Sequence, residues 1–170
     1  MSFELVSKSS EQTRSYGYQI ASILLANDVL LLSGDLGAGK TEFTKGIAEG
    51  LSVDEPVNSP TFNLLMVHEL AAGPEALPPK PHALYHFDLY RLDDSSQLED
   101  LDYFGLLEDG GLSVVEWGDR FPEALPLDFL HVRISILDDN TRQLQFASFG
   151  KRSQQRLTEW MRLCAQVPDD

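Results

Sequence analysis

Gly34-Asp35-Leu36-Gly37-Ala38-Gly39-Lys40-Thr41 has the G-x-x-x-x-G-K-[ST] form of a phosphate-binding loop. Its flanks supply the setting that the pattern needs. Val29-Leu30-Leu31-Leu32-Ser33 reads as a buried strand, and Thr41-Glu42-Phe43-Thr44-Lys45-Gly46-Ile47-Ala48 opens a helix that runs to about Leu51. Glycines let the backbone wrap tightly enough for successive N–H groups to face phosphate oxygens, and the helix N-terminus adds its dipole. Lys40 can reach the β- and γ-phosphates as a point charge, and the Thr41 hydroxyl suits Mg²⁺. The plain alternative is a Gly-rich turn entering a helix. The strand–loop–helix context favours a nucleoside triphosphate site instead.

Outward from this loop the chain alternates between strand and helix patterns. Phe3-Glu4-Leu5-Val6 is a short strand, followed by Ser9-x-x-Gln12 as a capping box ahead of Tyr16, Ile20, Ile23 and Leu24 at helical spacing. Further strands are expected over 62–67, 83–87 and 112–115. Residues 71–82 hold four of the nine prolines and read as an exposed excursion, not a domain linker. Val132, Ile134 and Ile136, then Leu144 and Phe146, alternate on either side of Asp138-Asp139-Asn140, which predicts a hairpin. A closing helix is expected over 153–164. The fold class expected is α/β: a single-domain P-loop NTPase over 1–170, with a mixed, mostly parallel central sheet flanked by helices and a C-terminal antiparallel hairpin. Residues 151–170 form its C-terminal helix and tail.

Composition narrows the partners. At 170 residues, 42% hydrophobic and 24% charged, the chain is of ordinary globular make-up and has length for a substantial core. It shows no bilayer-spanning apolar run and no signal-peptide pattern at Met1-Ser2-Phe3-Glu4, so a cytoplasmic location is expected. The lone Cys164 is read as a packed residue of the closing helix. Thirteen basic residues face 27 acidic ones, for a net charge of −14, which argues against a broad grip on nucleic acid. The acids gather at Asp93-Asp94, Glu99-Asp100-Asp102 and Glu108-Asp109, as a solvated face or as a surface for a basic partner protein.

Hydrolysis needs more than a phosphate loop: a carboxylate for the metal, a group to order water, and an element that senses the γ-phosphate. Glu116 and Asp88 each end a predicted strand, and chemistry alone does not rank them for the metal. Either could instead simply end a strand or cap a helix. In Ser59-Pro60-Thr61-Phe62, Pro60 stiffens the loop that presents the Thr61 hydroxyl, a candidate switch element. An unremarkable Ser-Pro turn is the ordinary alternative.

Taken in order, the phosphate loop, Ser59-Pro60-Thr61-Phe62, His86-Phe87-Asp88-Leu89-Tyr90-Arg91 and Val115-Glu116-Trp117 resemble the TsaE (YjeE) family of bacterial P-loop ATPases tied to threonylcarbamoyladenosine (t6A) modification of tRNA. The resemblance runs from the first strand to the hairpin and is weakest at 71–82 and in the closing helix. It implies ATP and Mg²⁺ as ligands, with Thr41 and Glu116 on the metal, Asp88 as the catalytic carboxylate and Thr61 in the switch loop. With Lys40 on the phosphates, these are the expected catalytic residues. Trp117 is implied beside the nucleotide, against the alternative of a core indole. Tyr90 and Arg91 would support Asp88 or a partner interface, and a salt bridge from Arg91 to the acidic cluster is favoured over an arginine finger. His86 reads as a packed strand residue. Ser10, Thr13 and Arg142 are candidates to flank the adenine. The implied partners are TsaD- and TsaB-type proteins, with tRNA reached only through them and no membrane.

Two other classes fit less well. A small-molecule or nucleotide kinase would need an arginine-bearing lid, and there is no arginine between Arg14 and Arg91. A guanine-nucleotide switch would need an Asn-Lys-x-Asp segment, which does not occur. Asp102-Tyr103-Phe104-Gly105 matches Asp-x-x-Gly in letters only, because it follows an acidic stretch and not a buried strand.

Overall fold

In the computed structural model, which describes residues 1–58, 63–71 and 77–166, the strand after which the phosphate loop follows lies at the middle of a sheet. Its seven strands are β1 Ser2–Ser7, β2 Val29–Ser33, β3 Leu65–Glu69, β4 Ala83–Asp88, β5 Leu112–Glu116, β6 Phe129–Ile136 and β7 Arg142–Phe149, in the order β1-β7-β6-β2-β5-β4-β3. The four central strands β6, β2, β5 and β4 run parallel, and the three outer junctions are antiparallel. The sheet is therefore mixed as expected, but parallel pairs make up half of it and not most. β2 and β5 are buried along their whole length, as continuous apolar strands in a parallel sheet must be. β6 and β7 form the expected hairpin.

Helices α1 Ser10–Ile20, α2 Lys40–Gly50 and α4 Lys151–Gln166 accompany the sheet, with a short α3 at Tyr103–Leu106. Ser9 caps α1 by accepting from the Gln12 N–H at 3.0 Å, but the Gln12 side chain accepts from the Lys8 N–H at 2.7 Å instead of that of Ser9, so the cap is as expected and the reciprocal half of the box is not. The helix stops at Ile20 and tightens into a 3-10 turn over Ala21–Ile23, earlier than Ile23 and Leu24 implied. α1 and α2 cross at near-contact of their backbones. A Cβ on Gly46 would stand 1.9 Å from the Arg14 carbonyl oxygen, so only glycine allows that approach.

Two apolar layers result. Ile20, Leu24, Leu30, Leu32, Phe43, Ile47, Leu84, Val114, Val132, Phe146, Leu157 and Trp160 fill the layer under α1, α2 and α4. On the other face Leu31, Tyr85, Phe87, Leu98, Tyr103, Val115 and Phe129 form a second layer. Alternation along β4 and β5 therefore puts Leu84, His86 and Asp88, with Leu112, Val114 and Glu116, on the α2 side. The strand expected at 62–67 is seen at Leu65–Glu69, with Phe62 outside the described residues. Residues 77–80 of the Pro-rich excursion are exposed, and 72–76 lie outside the description, as does the tail 167–170. The acidic side chains of Asp93, Asp94, Glu99, Asp100, Asp102, Glu108 and Asp109 are all on the surface. Cys164 is partly buried on α4, and burial pushes its thiol up to about 11, as suits a packed thiol.

Candidate functional site

The carboxyl ends of β2, β4 and β5 meet at one edge of the sheet, where ligands of open α/β sheets are bound. Leu32 of β2 and Asp88 of β4 are both register partners of Glu116 on β5. The two carboxylates thus stand on neighbouring strands beside the start of α2. That helix begins at Lys40, with Gly39 in the left-handed conformation (φ 111°) as its cap. The residues after Gly39 then enter the helix directly, with their orphan N–H groups at its open end.

Leu36, Gly37, Gly39, Lys40, Thr41, Glu42, Asp88, Tyr90, Arg91, Glu116 and Trp117 line a single cleft of about 460 Å³. A volume of that order suits a small-molecule ligand. Leu36 is exposed at its mouth, 83% accessible. Lys40 is nearly covered, and its Nζ donates to the carbonyls of Gly34 (2.6 Å) and Asp35 (3.0 Å). The same ammonium lies 4.6 Å from the centre of the Trp117 ring. Burial draws the Lys40 ammonium below its ordinary range, against the opposing pull of Glu116, Asp88, Asp35 and Asp119. Trp117 itself is held at positive φ (62°) at the head of the Gly118–Arg120 turn. The indole is partly buried; it packs against the second apolar layer and also lines the cleft.

Asp88 is buried and its Oδ1 accepts from the Tyr90 backbone N–H at 3.1 Å. Tyr90 therefore supports Asp88 with its backbone, while its ring stands 5.0 Å from that of Trp117. Arg120, which the sequence reading passed over, donates to the Leu89 and Tyr90 carbonyls and so holds this segment from below. No motif flags it; only the fold brings it there. Glu116 is 3% exposed, and its Oε1 lies 3.0 Å from Nε2 of His86, a residue of zero exposure. His86 is indeed packed within the strand, but it is bound to a cleft carboxylate. That pairing depends on the β4–β5 register, which local sequence does not show.

The expected adenine flank adjoins the loop from its other side. Ser10, Thr13 and Arg142, with Gly37, Ala38, Gly39, Glu42, Asp139 and Asn140, surround a second cavity of about 230 Å³. Thr13 is fully buried and its hydroxyl is engaged with Ser7 (2.8 Å), so it offers the cavity bulk and not a free hydroxyl. Arg142 Nε donates to the Ala38 carbonyl at 3.1 Å, and its Nη1 to Asp138 at 2.8 Å. Each loop residue from Gly34 to Thr41 thus either lines a cavity or accepts from Lys40 or Arg142. Thr61 and the rest of Ser59-Pro60-Thr61-Phe62 lie outside the described residues.

The donor set is chemically suited to Mg²⁺. The Thr41 hydroxyl and the Glu116 carboxylate offer hard oxygens at one cleft, with the Asp88 carboxylate beside them. Among the described residues no group of three or more His, Cys, Asp and Glu could hold an ion unaided. Among the described residues, no helix is long and apolar enough to cross a membrane.

Comparison with known proteins accords with the motif reading. Residues 7–144 match the family model for threonylcarbamoyl adenosine biosynthesis protein TsaE. The tRNA threonylcarbamoyladenosine biosynthesis protein TsaE of Bacillus subtilis is 39% identical over 142 residues, which is 84% of this chain and 83% of the relative. That of Streptomyces coelicolor is 41% identical over 145 residues, 82% of this chain and 92% of the relative. The crystal structure of Bacillus subtilis YdiB superposes with a TM-score of 0.76 at 30% identity, covering 95% of both chains. With a family model spanning most of its length and relatives matched over more than four-fifths of both chains, the chain belongs to the TsaE family.

Proposed function

We propose that this P-loop NTPase domain binds ATP·Mg²⁺ in the cleft and hydrolyses it slowly, as an accessory protein of tRNA t6A modification. It works with TsaD- and TsaB-type proteins in the cytoplasm and does not itself transfer the threonylcarbamoyl group. What carries the reading is the convergence of Lys40, Thr41, Asp88, Glu116 and Trp117 on one cleft at the N-terminus of α2. The names of the relatives support the pathway. The net charge of −14 supports a division of labour in which the partners hold the tRNA.

In the reaction, water attacks the γ-phosphorus, the bond to the β,γ-bridging oxygen breaks, and ADP and phosphate leave. Lys40 moves from the Gly34 and Asp35 carbonyls to the phosphates, exchanging neutral acceptors for charged ones. The N–H groups at the start of α2 hold the phosphate oxygens. Asp88, held through the Tyr90 N–H, orients the water and accepts its proton. Thr41 and Glu116 would hold Mg²⁺, which when bound neutralises charge on the phosphate oxygens. Thr61 closes over the γ-phosphate in the triphosphate state, and Ser10, Thr13 and Arg142 flank the base.

The test is ATP hydrolysis by the purified protein, alone and with a TsaD–TsaB pair, using Lys40→Ala as control. Stimulation by the pair that disappears in Lys40→Ala is the expected result. Absence of stimulation, with phosphate passing to a small acceptor, would replace this reading with a kinase.

A further inference from the structure

His86 is an expensive residue where it stands. It has zero exposure, within the apolar layer that holds Leu84 and Val114, and its Nδ1 has no hydrogen-bond partner among the described residues. A leucine or phenylalanine would fill that layer without burying an unsatisfied ring nitrogen. Among the described residues, the polar contact the imidazole makes is Nε2 to Glu116 Oε1, at 3.0 Å. An ionised carboxylate only accepts, so Nε2 carries the hydrogen and donates it.

That contact fixes more than one atom. With Oε1 tied to a ring that packing holds still, the plane of the Glu116 carboxylate is set, and with it the direction of the second oxygen. Glu116 lines the cleft, and His86 is its hydrogen-bond partner among the described residues. We propose that His86 is a positioning residue, which aims the Glu116 carboxylate so that its second oxygen meets a divalent cation bound with the nucleotide. The inference rests on the reading of Glu116 as a metal-side carboxylate. It adds that the imidazole two residues before Asp88 is there to orient that group. Partners of this kind commonly matter to metal affinity nearly as much as the ligands themselves.

The experiment is Mn²⁺ binding, followed by electron paramagnetic resonance, to the full chain saturated with the non-hydrolysable analogue AMP-PNP. His86→Gln keeps an amide N–H at the position of Nε2, whereas His86→Asn ends at the position of Nδ1, and His86→Leu has no donor. We expect Mn²⁺ affinity to fall about 10–100-fold in His86→Leu and His86→Asn and to stay within about threefold of the parent in His86→Gln. Metal-free AMP-PNP binding should be unchanged in all three. Should His86→Leu fail to fold, the contrast between Asn and Gln decides alone. Equal Mn²⁺ affinity in the donor-lacking variant and the parent overturns the proposal. Glu116→Gln separates the two levels: if it weakens Mn²⁺ while the His86 variants do not, only the role of His86 falls. If Glu116→Gln changes nothing either, the reading of Glu116 falls and takes His86 with it.

Discussion

The Lys40 ammonium lies under the Trp117 indole, 4.6 Å from the ring centre, while it donates to the Gly34 and Asp35 carbonyls. Any ligand that draws Lys40 onto phosphate must lift it from the ring. Trp117 fluorescence should therefore change when ATP binds. The other tryptophan, Trp160, is fully buried beside Phe146 and should be silent, so a Trp160→Phe background isolates the signal. In Lys40→Met the change should vanish, and ATP affinity should fall by about 10–100-fold, the worth of roughly 1.5–3 kcal/mol for hydrogen bonds to a charged group. A full-sized signal in Lys40→Met would separate the ring from the phosphate site.

Asp88 and Glu116 are register partners, yet their surroundings differ. Asp88 accepts from a backbone N–H and Glu116 from an imidazole. Asp88→Asn preserves shape and the Tyr90 contact but removes the carboxylate proposed as the base. Turnover stimulated by the partner pair should drop about 10²–10⁴-fold, with ATP·Mg²⁺ affinity little changed. Retained turnover would remove Asp88 from the catalytic role.

How much of this was legible beforehand depends on range along the chain. The phosphate loop, the Ser9 cap and the hairpin around Asp138-Asp139-Asn140 are local patterns, and each stands where its residues put it. Glu116 and Asp88 were legible as strand ends beside a loop, but their pairing needed the β4–β5 register. The link between His86 and Glu116 was hidden for the same reason: 30 residues separate them, and alternation shows a face without showing a neighbour. The share of parallel pairing was overestimated because β3, β7 and β1 join by antiparallel contacts at the edges. Arg120 had no signal at all, since it acts through backbone carbonyls that any residue could present.

A buried ion pair away from the cleft sets a pH dependence. Arg156 Nε stands 3.2 Å from Asp28 Oδ2, both largely covered, and Asp28 also accepts from the Leu25 N–H at 2.8 Å. Burial holds the Asp28 carboxyl above its ordinary range, opposed by that N–H and by the Arg156 charge. A folded pKa above the unfolded value means that the native state binds the proton more tightly. The contribution of Asp28 to stability is then greatest below the unfolded pKa and is lost as pH rises through the folded one. Arg156→Ala removes the opposing charge. It should cost about 3–5 kcal/mol near neutrality, as an orphaned buried charge does, and recover part of that loss on acidification. Adding Asp28→Asn should restore stability and flatten the profile. Thermal unfolding at a series of pH values reads both; a loss independent of pH would assign the cost to packing alone.

Arg142 ties the phosphate loop to the hairpin turn, because one guanidinium donates to the Ala38 carbonyl and to that of Asp138. Its planar fork can serve both acceptors at once, and a lysine ammonium cannot reproduce that geometry. Arg142→Ala should therefore loosen the loop before any nucleotide arrives. Nucleotide affinity should weaken by about tenfold, a loss of about 1.4 kcal/mol, close to that of a single hydrogen bond. The rate at saturating ATP should hold, since Asp88 and Glu116 sit on strands that Arg142 does not touch. Arg142→Lys should resemble Arg142→Ala. If Lys instead restores full affinity, the residue acts through its charge on the nucleotide and not by bracing the loop. Steady-state ATPase measurements with the partner pair, read as separate KM and kcat values, distinguish the two.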